Sequence, residues 1–213
     1  MTSIFDQHKA YWTNKSGMPS SLVEYVTDTS GLQILDLGCG GGRLAASFTN
    51  STVYGLDNSA ELLREAQQNH PNIKFVCGDF QSPEAWRQIP SLDMIVSNCA
   101  IRKDYCPHLA DVMRICFDKL VPGGIMLLRI QSVSDLSEVL PKSTRELLFY
   151  SNDELSDCLK SFKWNVKEEA FRQKFSSIEY LKTFLKRTQL ESEDIKCVNP
   201  TRRYNIVYAE KTK

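Results

Sequence analysis

The sequence predicts an α/β fold, a mostly parallel sheet covered on both faces by helices, and three observations predict it. Five strand-length apolar runs alternate with segments of helical periodicity, the pattern of successive strand–helix–strand units. The first run passes directly into a glycine-rich turn, Gly38-Cys39-Gly40-Gly41-Gly42. The first three runs each carry an aspartate within two residues of their end. At 213 residues, against about 150 residues per domain, residues 1–213 are expected to form one domain. Its core is large enough to need neither disulfide nor structural metal.

The strands read as Gln33–Leu37, Thr52–Asp57, Ile73–Cys77, Leu92–Val96 and Gly124–Ile130, each short and rich in branched residues. Asn58 with Glu61 three residues later forms a capping-box pattern, and Leu62, Leu63 and Ala66 follow as one helix face. The glycine turn is expected to open another helix. Pro107 starts a third, with Leu109, Val112, Met113, Cys116 and Leu120 on one face and Gly123-Gly124 as its stop. Residues 132–149 show no regular pattern. Ser151 with Glu154 is a second capping box, and Leu155, Cys158, Leu159 and Phe162 recur at helical spacing after it. Two late strands, Trp164–Ala170 and Tyr204–Ala209, bring the total to seven. The segment between them carries Ile178, Leu181, Leu185 and Thr188 on one helical face and is too long for a hairpin loop. Residues 1–30, with Phe5, Tyr11 and Trp12, together with 132–149 and 171–203, are expected to form a substrate cap.

Composition narrows the function classes. Hydrophobic residues are 42% and charged residues 24%, ordinary for a soluble globular protein. Lys+Arg and Asp+Glu are 26 each, and this zero net charge argues against nucleic acid as the main partner. No apolar stretch approaches the roughly 18 residues of a membrane span, and the first nine residues have an early acid and no apolar core. No membrane, no secretory signal and a cytoplasmic location are therefore expected. The seven cysteines are scattered without a C-x-x-C pair, which points to reduced thiols and no metal site. Residues 160–213 hold 13 basic and 7 acidic side chains, leaving the rest of the chain acidic. That asymmetry reads either as solvated surface or as a bias toward the substrate.

The chemistry concentrates at Asp36-Leu37-Gly38-Cys39-Gly40-Gly41-Gly42. Glycines admit positive φ and let a ligand approach the main chain. A dinucleotide fingerprint would place a further glycine at position 43, where Arg43 stands. An acid two residues before the first glycine repels a pyrophosphate and suits a cationic ligand with an amino group. Asp57 follows 21 residues after Asp36, at the end of the second strand, where a carboxylate accepts from both hydroxyls of a ribose. Asp79 follows 22 residues later, suited to an adenine amino group, with Phe80 beside it as an aromatic face. Open α/β sheets bind ligands along this edge.

Together with Asp93–Asn98 and Leu120–Leu128, these residues resemble the class I S-adenosylmethionine-dependent methyltransferase family over roughly Leu22 to Ile130. The resemblance implies a Rossmann-like, doubly wound seven-stranded sheet with an antiparallel C-terminal strand and a helical cap. It implies an enzyme with S-adenosyl-L-methionine as cofactor. Asp36, Gly38, Cys39 and Gly40 would lie at its methionine part, Asp57 at the ribose, and Asp79 and Phe80 at adenine. Asn58 and Ser59 serve either there or as a helix cap. Ser97, Asn98 and Cys99 would form the reacting face. Relatives that methylate nucleobases or glutamine carry Asn-Pro-Pro-Tyr where this chain has Ser97-Asn98-Cys99-Ala100, which argues against those acceptors. From Trp164 to Leu190 the chain resembles the trans-aconitate and malonyl-carrier-protein methyltransferases. That implies a small-molecule or carrier-bound acceptor, with a carboxylate among the options. Tyr11, Arg102, His108 and Arg129 are substrate candidates, with Arg172, Arg202 and Arg203 as further arginines able to clamp an acid. No catalytic base is assigned, because displacement at an activated sulfonium needs chiefly orientation, which supplies about 7–11 kcal/mol. A tRNA or protein acceptor, and a cofactor-binding module or cyclase without methyl transfer, stay open as alternatives.

Overall fold

The apolar runs form the centre of a seven-stranded sheet in a computed structural model that describes residues 22, 25–26, 28–137, 140–172 and 201–212. The strands are β1 (Gln33–Leu37), β2 (Thr52–Asp57), β3 (Lys74–Cys77), β4 (Leu92–Asn98), β5 (Leu120–Gln131), β6 (Phe162–Arg172) and β7 (Thr201–Lys211). They lie in the order β3-β2-β1-β4-β5-β7-β6. β1 to β5 are parallel, and β7 runs antiparallel between β5 and β6. This is the doubly wound sheet with an antiparallel C-terminal strand that the family resemblance implies.

Side-chain alternation along the strands splits the core in two. Leu35, Leu37, Leu56, Ile95 and Leu128 face one side, where they pack with Trp86, Val112 and Met113. Ile34, Val53, Val96, Leu127 and Ile206 face the other, with Leu22, Leu44 and Phe48. Among the described residues four helices flank the sheet: α1 (Ala60–Asn69), α2 (Leu109–Lys119), α3 (Lys142–Leu148) and α4 (Asn152–Cys158). No helix among the described residues is long and apolar enough to cross a membrane.

Several local expectations are corrected. The first helix is capped by Ser59, whose hydroxyl accepts from Leu62 N at 3.2 Å, and not by Asn58, which is exposed. The cause lies one residue upstream. The Asp57 carboxylate accepts from Ser59 N at 2.9 Å, an Asx turn that keeps the chain extended for one residue more. The glycine turn leads only into a three-residue 3-10 turn, Ala45–Ser47. α2 ends at Lys119, and Gly123-Gly124 form part of a bulge in β5, where the β4 register jumps from Leu92↔Leu120 to Met94↔Ile125. The Ser151–Glu154 capping box forms as expected, but its helix stops at Cys158 and Phe162 already belongs to β6. Residues 132–149 contain α3, which the sequence pattern hides. β6 and β7 pair over eleven residues each, further than their apolar patterns reach. Most of the expected cap, 1–21 with Tyr11 and 173–200, lies outside the described residues.

The start of β7 is anchored by a buried ion pair. Arg202 Nε donates to both Asp135 oxygens, at 3.1 and 3.0 Å, and Asp135 Oδ1 also accepts from Arg203 N at 2.9 Å. Both side chains are buried. Removing one partner leaves a charge buried alone, which costs about 3–5 kcal/mol. Asp135→Leu should lose about that much in urea unfolding, and the double variant Asp135→Leu/Arg202→Met should recover most of it.

Candidate active site

The first five strands all end at one edge of the sheet, and the strand order reverses between β1 and β4. Chains leaving these two strands diverge and open a crevice there. From β1 come Gly38 (φ +72°) and Gly40 (φ +52°), from β4 Asn98, Cys99 (φ +62°) and Ala100. A left-handed cysteine is a strained backbone position, of the kind found where structure serves a site.

The two glycines have different reasons. A Cβ on Gly38 would lie 2.1 Å from the Cβ of Ala100, so glycine is required for the two loops to meet. A Cβ on Gly40 would meet nothing within 4 Å, so there the turn faces open space. The turn hangs on the end of β2. Gly38 N and Cys39 N donate to the Leu56 carbonyl at 2.7 and 3.1 Å, and Gly40 N donates to Asp57 Oδ2 at 2.8 Å. With Ser59 N on Oδ1, these bonds fix the plane of the Asp57 carboxylate.

Asp36 lies beneath the turn, 1% exposed, and its Oδ2 accepts from Ala45 N at 3.0 Å. Burial raises its carboxyl to about 7, against the pull of that hydrogen bond, and the nearby Asp57 charge adds to the rise. Cys39 is buried, its sulfur packed where a Cβ on Gly55 would come within 2.8 Å, and burial pushes its thiol well up. Past β3, Asp79 is exposed and accepts from Gln81 N at 2.9 Å. Phe80 is half-buried against the core, and its carbonyl accepts from Trp86 Nε1 at 2.8 Å.

At the end of β4 the expected trio divides. The Ser97 hydroxyl is buried and donates to the Leu37 carbonyl at 2.7 Å, so it clasps β4 to β1 and is withdrawn from the crevice. Asn98 and Cys99 remain half-buried at the edge. Asn98 pairs in register with Arg129, whose Nη1 donates to Asn98 Oδ1 at 3.2 Å. Arg129 is 9% exposed, and its guanidinium carbon sits 3.6 Å from the Tyr204 ring centroid. Burial raises the Tyr204 phenol well above its usual value, so it stays protonated at neutral pH.

The other substrate candidates are arranged differently. Arg102 is buried in an ion pair with Asp104 and lies 4.4 Å from the Tyr105 ring centroid. His108 is exposed at the start of α2. Tyr11 lies outside the described residues. The sequence reading missed Tyr204 and Asp135. The alternation Arg202, Tyr204, Ile206 along β7 marks one face, but the β5 partner of that face was not readable. Among the described residues no cluster of His, Cys, Asp or Glu suits a metal ion.

An open glycine turn, a fixed carboxylate at β2, an acid at β3 and a half-buried aromatic share one edge. That set has the chemistry to hold a nucleoside with an amino-acid tail.

The family model described as methyltransferase domain matches residues 28–189. The trans-aconitate 2-methyltransferase of Deinococcus radiodurans is 31% identical over 140 residues, covering 63% of this chain and 52% of that protein. Its counterpart from Azoarcus sp. is 30% identical over 101 residues, covering 46% of this chain and 38% of that protein. The chain thus spans about half the length, or less, of the curated relatives it matches. Among solved structures, YcgJ from Bacillus subtilis aligns with a TM-score of 0.68 at 14% identity, over 91% of this chain and 97% of its own. TehB from Haemophilus influenzae gives 0.66 at 16% identity, over 98% of this chain and 66% of its own. These likenesses bear on the fold.

The two glycines should respond differently to a methyl group. Gly38→Ala meets Ala100 and should lower the melting temperature sharply, whereas Gly40→Ala should cost only about 1–2 kcal/mol of backbone strain. Thermal melts check this, and calorimetric titration with S-adenosylhomocysteine should show that Gly40→Ala weakens binding although it folds. Asp36 makes a pH prediction. Its carboxyl is near 3.9 when unfolded and about 7 when folded, so in that window the folded state alone holds the proton. Its contribution to stability is full below about 4 and is lost as pH rises through about 7. In urea melts from pH 4 to 8, wild type minus Asp36→Asn should fall with pH, by at most about 1.4 kcal/mol per unit, and flatten above 7.

Proposed function

The chain belongs to the methyltransferase-domain family, and from that premise we propose that it transfers the methyl group of S-adenosylmethionine to a small-molecule carboxylic acid, giving a methyl ester. The observation that carries the reading is Asp57, a carboxylate fixed at the end of β2 by Gly40 N and Ser59 N beside an open glycine turn. S-adenosylmethionine supplies, when bound, a methyl group already activated on a sulfonium.

The residues of this chain then have simple tasks. Asp57 accepts from the ribose hydroxyls. Phe80 lies beside the base, with Asp79 within reach of its amino group. The turn from Gly38 to Gly40 gives the amino-acid tail close access to the main chain. Asn98 and Cys99 border the side from which an acceptor approaches. Holding acceptor and methyl aligned is the main catalytic contribution.

Two things support an acid as the acceptor. Carboxylates are ionised near neutral pH and need no base, in keeping with a site in which no base stands out among the described residues. The trans-aconitate 2-methyltransferases among the relatives bear the name of a carboxylic acid.

The test is methyl transfer from labelled S-adenosylmethionine to mono-, di- and tricarboxylic acids, carrier-bound acids and total tRNA. Label should enter a small-acid product and be released as methanol by mild alkali. Label that resists alkali, or that enters only tRNA or protein, would replace this acceptor with another.

A further inference from the structure

We propose that Gln81 is a positioning residue for the base of the cofactor: its side-chain amide ties Asp79 to the loop between β4 and α2, and this strut sets the preference for adenine over a base without the amino group. The inference rests on the placement of adenine at Asp79 proposed above. It adds the residue that aims the carboxylate and the origin of its rigidity.

Asp79 alone is poorly suited to discriminate between bases. It stands just past β3 on a loop, and it is exposed. An exposed side chain that is free to rotate loses that freedom on binding, which weakens its contribution. The main chain around it is already fixed. Ser82 N donates to the Asp79 carbonyl at 2.9 Å, and Trp86 Nε1 donates to the Phe80 carbonyl at 2.8 Å. What is left to fix is the carboxylate, and Gln81 acts on it.

Asp79 Oδ1 accepts from Gln81 N at 2.9 Å and from Gln81 Nε2 at 3.4 Å. The same Nε2 donates to the Tyr105 carbonyl at 2.9 Å. Both partners of the amide are acceptors, so its nitrogen must face them and its orientation follows from the chemistry. Both bonds to the carboxylate fall on Oδ1. Oδ2 carries none among the described residues and is the atom left to accept from an exocyclic amino group.

The anchor is firm because the loop that carries Tyr105 is braced on α3 and α4. Lys103 N donates to the Leu148 carbonyl at 3.1 Å, the Lys103 ammonium pairs with Glu154, and the Tyr150 hydroxyl donates to the Cys106 carbonyl. Within the loop, Tyr105 N and Cys106 N both donate to the Arg102 carbonyl, at 3.1 and 2.7 Å. The Arg102 guanidinium lies 4.4 Å from the Tyr105 ring centroid. Gln81 carries this constraint across to the end of β3, through a contact between residues 24 apart in sequence. The bond from Gln81 N survives any change of side chain, whereas both amide bonds depend on the glutamine itself.

The test titrates the full chain calorimetrically with S-adenosylhomocysteine and with S-inosylhomocysteine, in which an oxygen replaces the amino group of the base. Wild type should prefer the adenine compound at least about tenfold, the size expected of one charge-assisted hydrogen bond. Gln81→Met, of similar length and without donors, should cut that preference at least about fivefold. It should do so by weakening the adenine compound alone, with the affinity for the inosine compound near wild type. A pocket that is merely damaged weakens both ligands alike. In an Asp79→Ala background, Gln81→Met should leave the preference unchanged. If Asp79→Ala abolishes the preference and Gln81→Met keeps it, the strut is overturned and adenine at Asp79 stands. If Gln81→Met weakens both ligands equally, or acts as strongly without Asp79 as with it, Gln81 does not work through Asp79 and the proposal is overturned. If wild type shows no preference, or Asp79→Ala retains it, the placement of adenine at Asp79 falls and the strut falls with it.

Discussion

The glycine turn is suspended from the end of β2, and the geometry of the crevice depends on that suspension. The Leu56 carbonyl holds Gly38 and Cys39, and the Asp57 carboxylate holds Gly40. Each such bond contributes only about 1 kcal/mol net to stability. Their larger effect is positional. A loop rich in glycine has many conformations to lose, and these three bonds choose one of them. The same choice lets Gly38 meet Ala100, which brings the end of β4 alongside the turn. The edge of the sheet is thereby shaped by β1, β2 and β4 together.

A central strand buried on both faces should be apolar throughout, and the buried stretch of β1, Ile34 to Leu37, is so except for Asp36. Burying that carboxylate is costly, and the protein retains a proton on it more readily as a result. A second polar group on the same face of the sheet, Arg129, is buried against the Tyr204 ring beside the end of β4.

Much of this was readable in the sequence because it is local. The apolar runs give β1, β2 and β4 nearly to the residue, the Ser151–Glu154 box gives the start of α4, and the spacing of Asp36, Asp57 and Asp79 puts three acids at one edge. What escaped was set by tertiary bonds. Ser59 replaces Asn58 as the cap because Asp57, itself fixed by Gly40, turns the chain there. Ser97 leaves the crevice because its hydroxyl reaches a carbonyl of another strand. Gly123-Gly124 look like a helix stop, yet they accommodate a register shift against β4. The contact between Arg129 and Tyr204 joins residues 75 apart, and no local pattern announces the β5–β7 register that brings them together.

The most direct measurement is a crystal structure of the full chain grown with S-adenosylhomocysteine. The account predicts the nucleoside in the crevice between β1 and β4, its ribose hydroxyls within hydrogen-bonding distance of Asp57 and its amino-acid tail along Gly38 to Gly40. The same crevice left vacant at saturating ligand, or the nucleoside lodged elsewhere with Asp57 untouched, would contradict it.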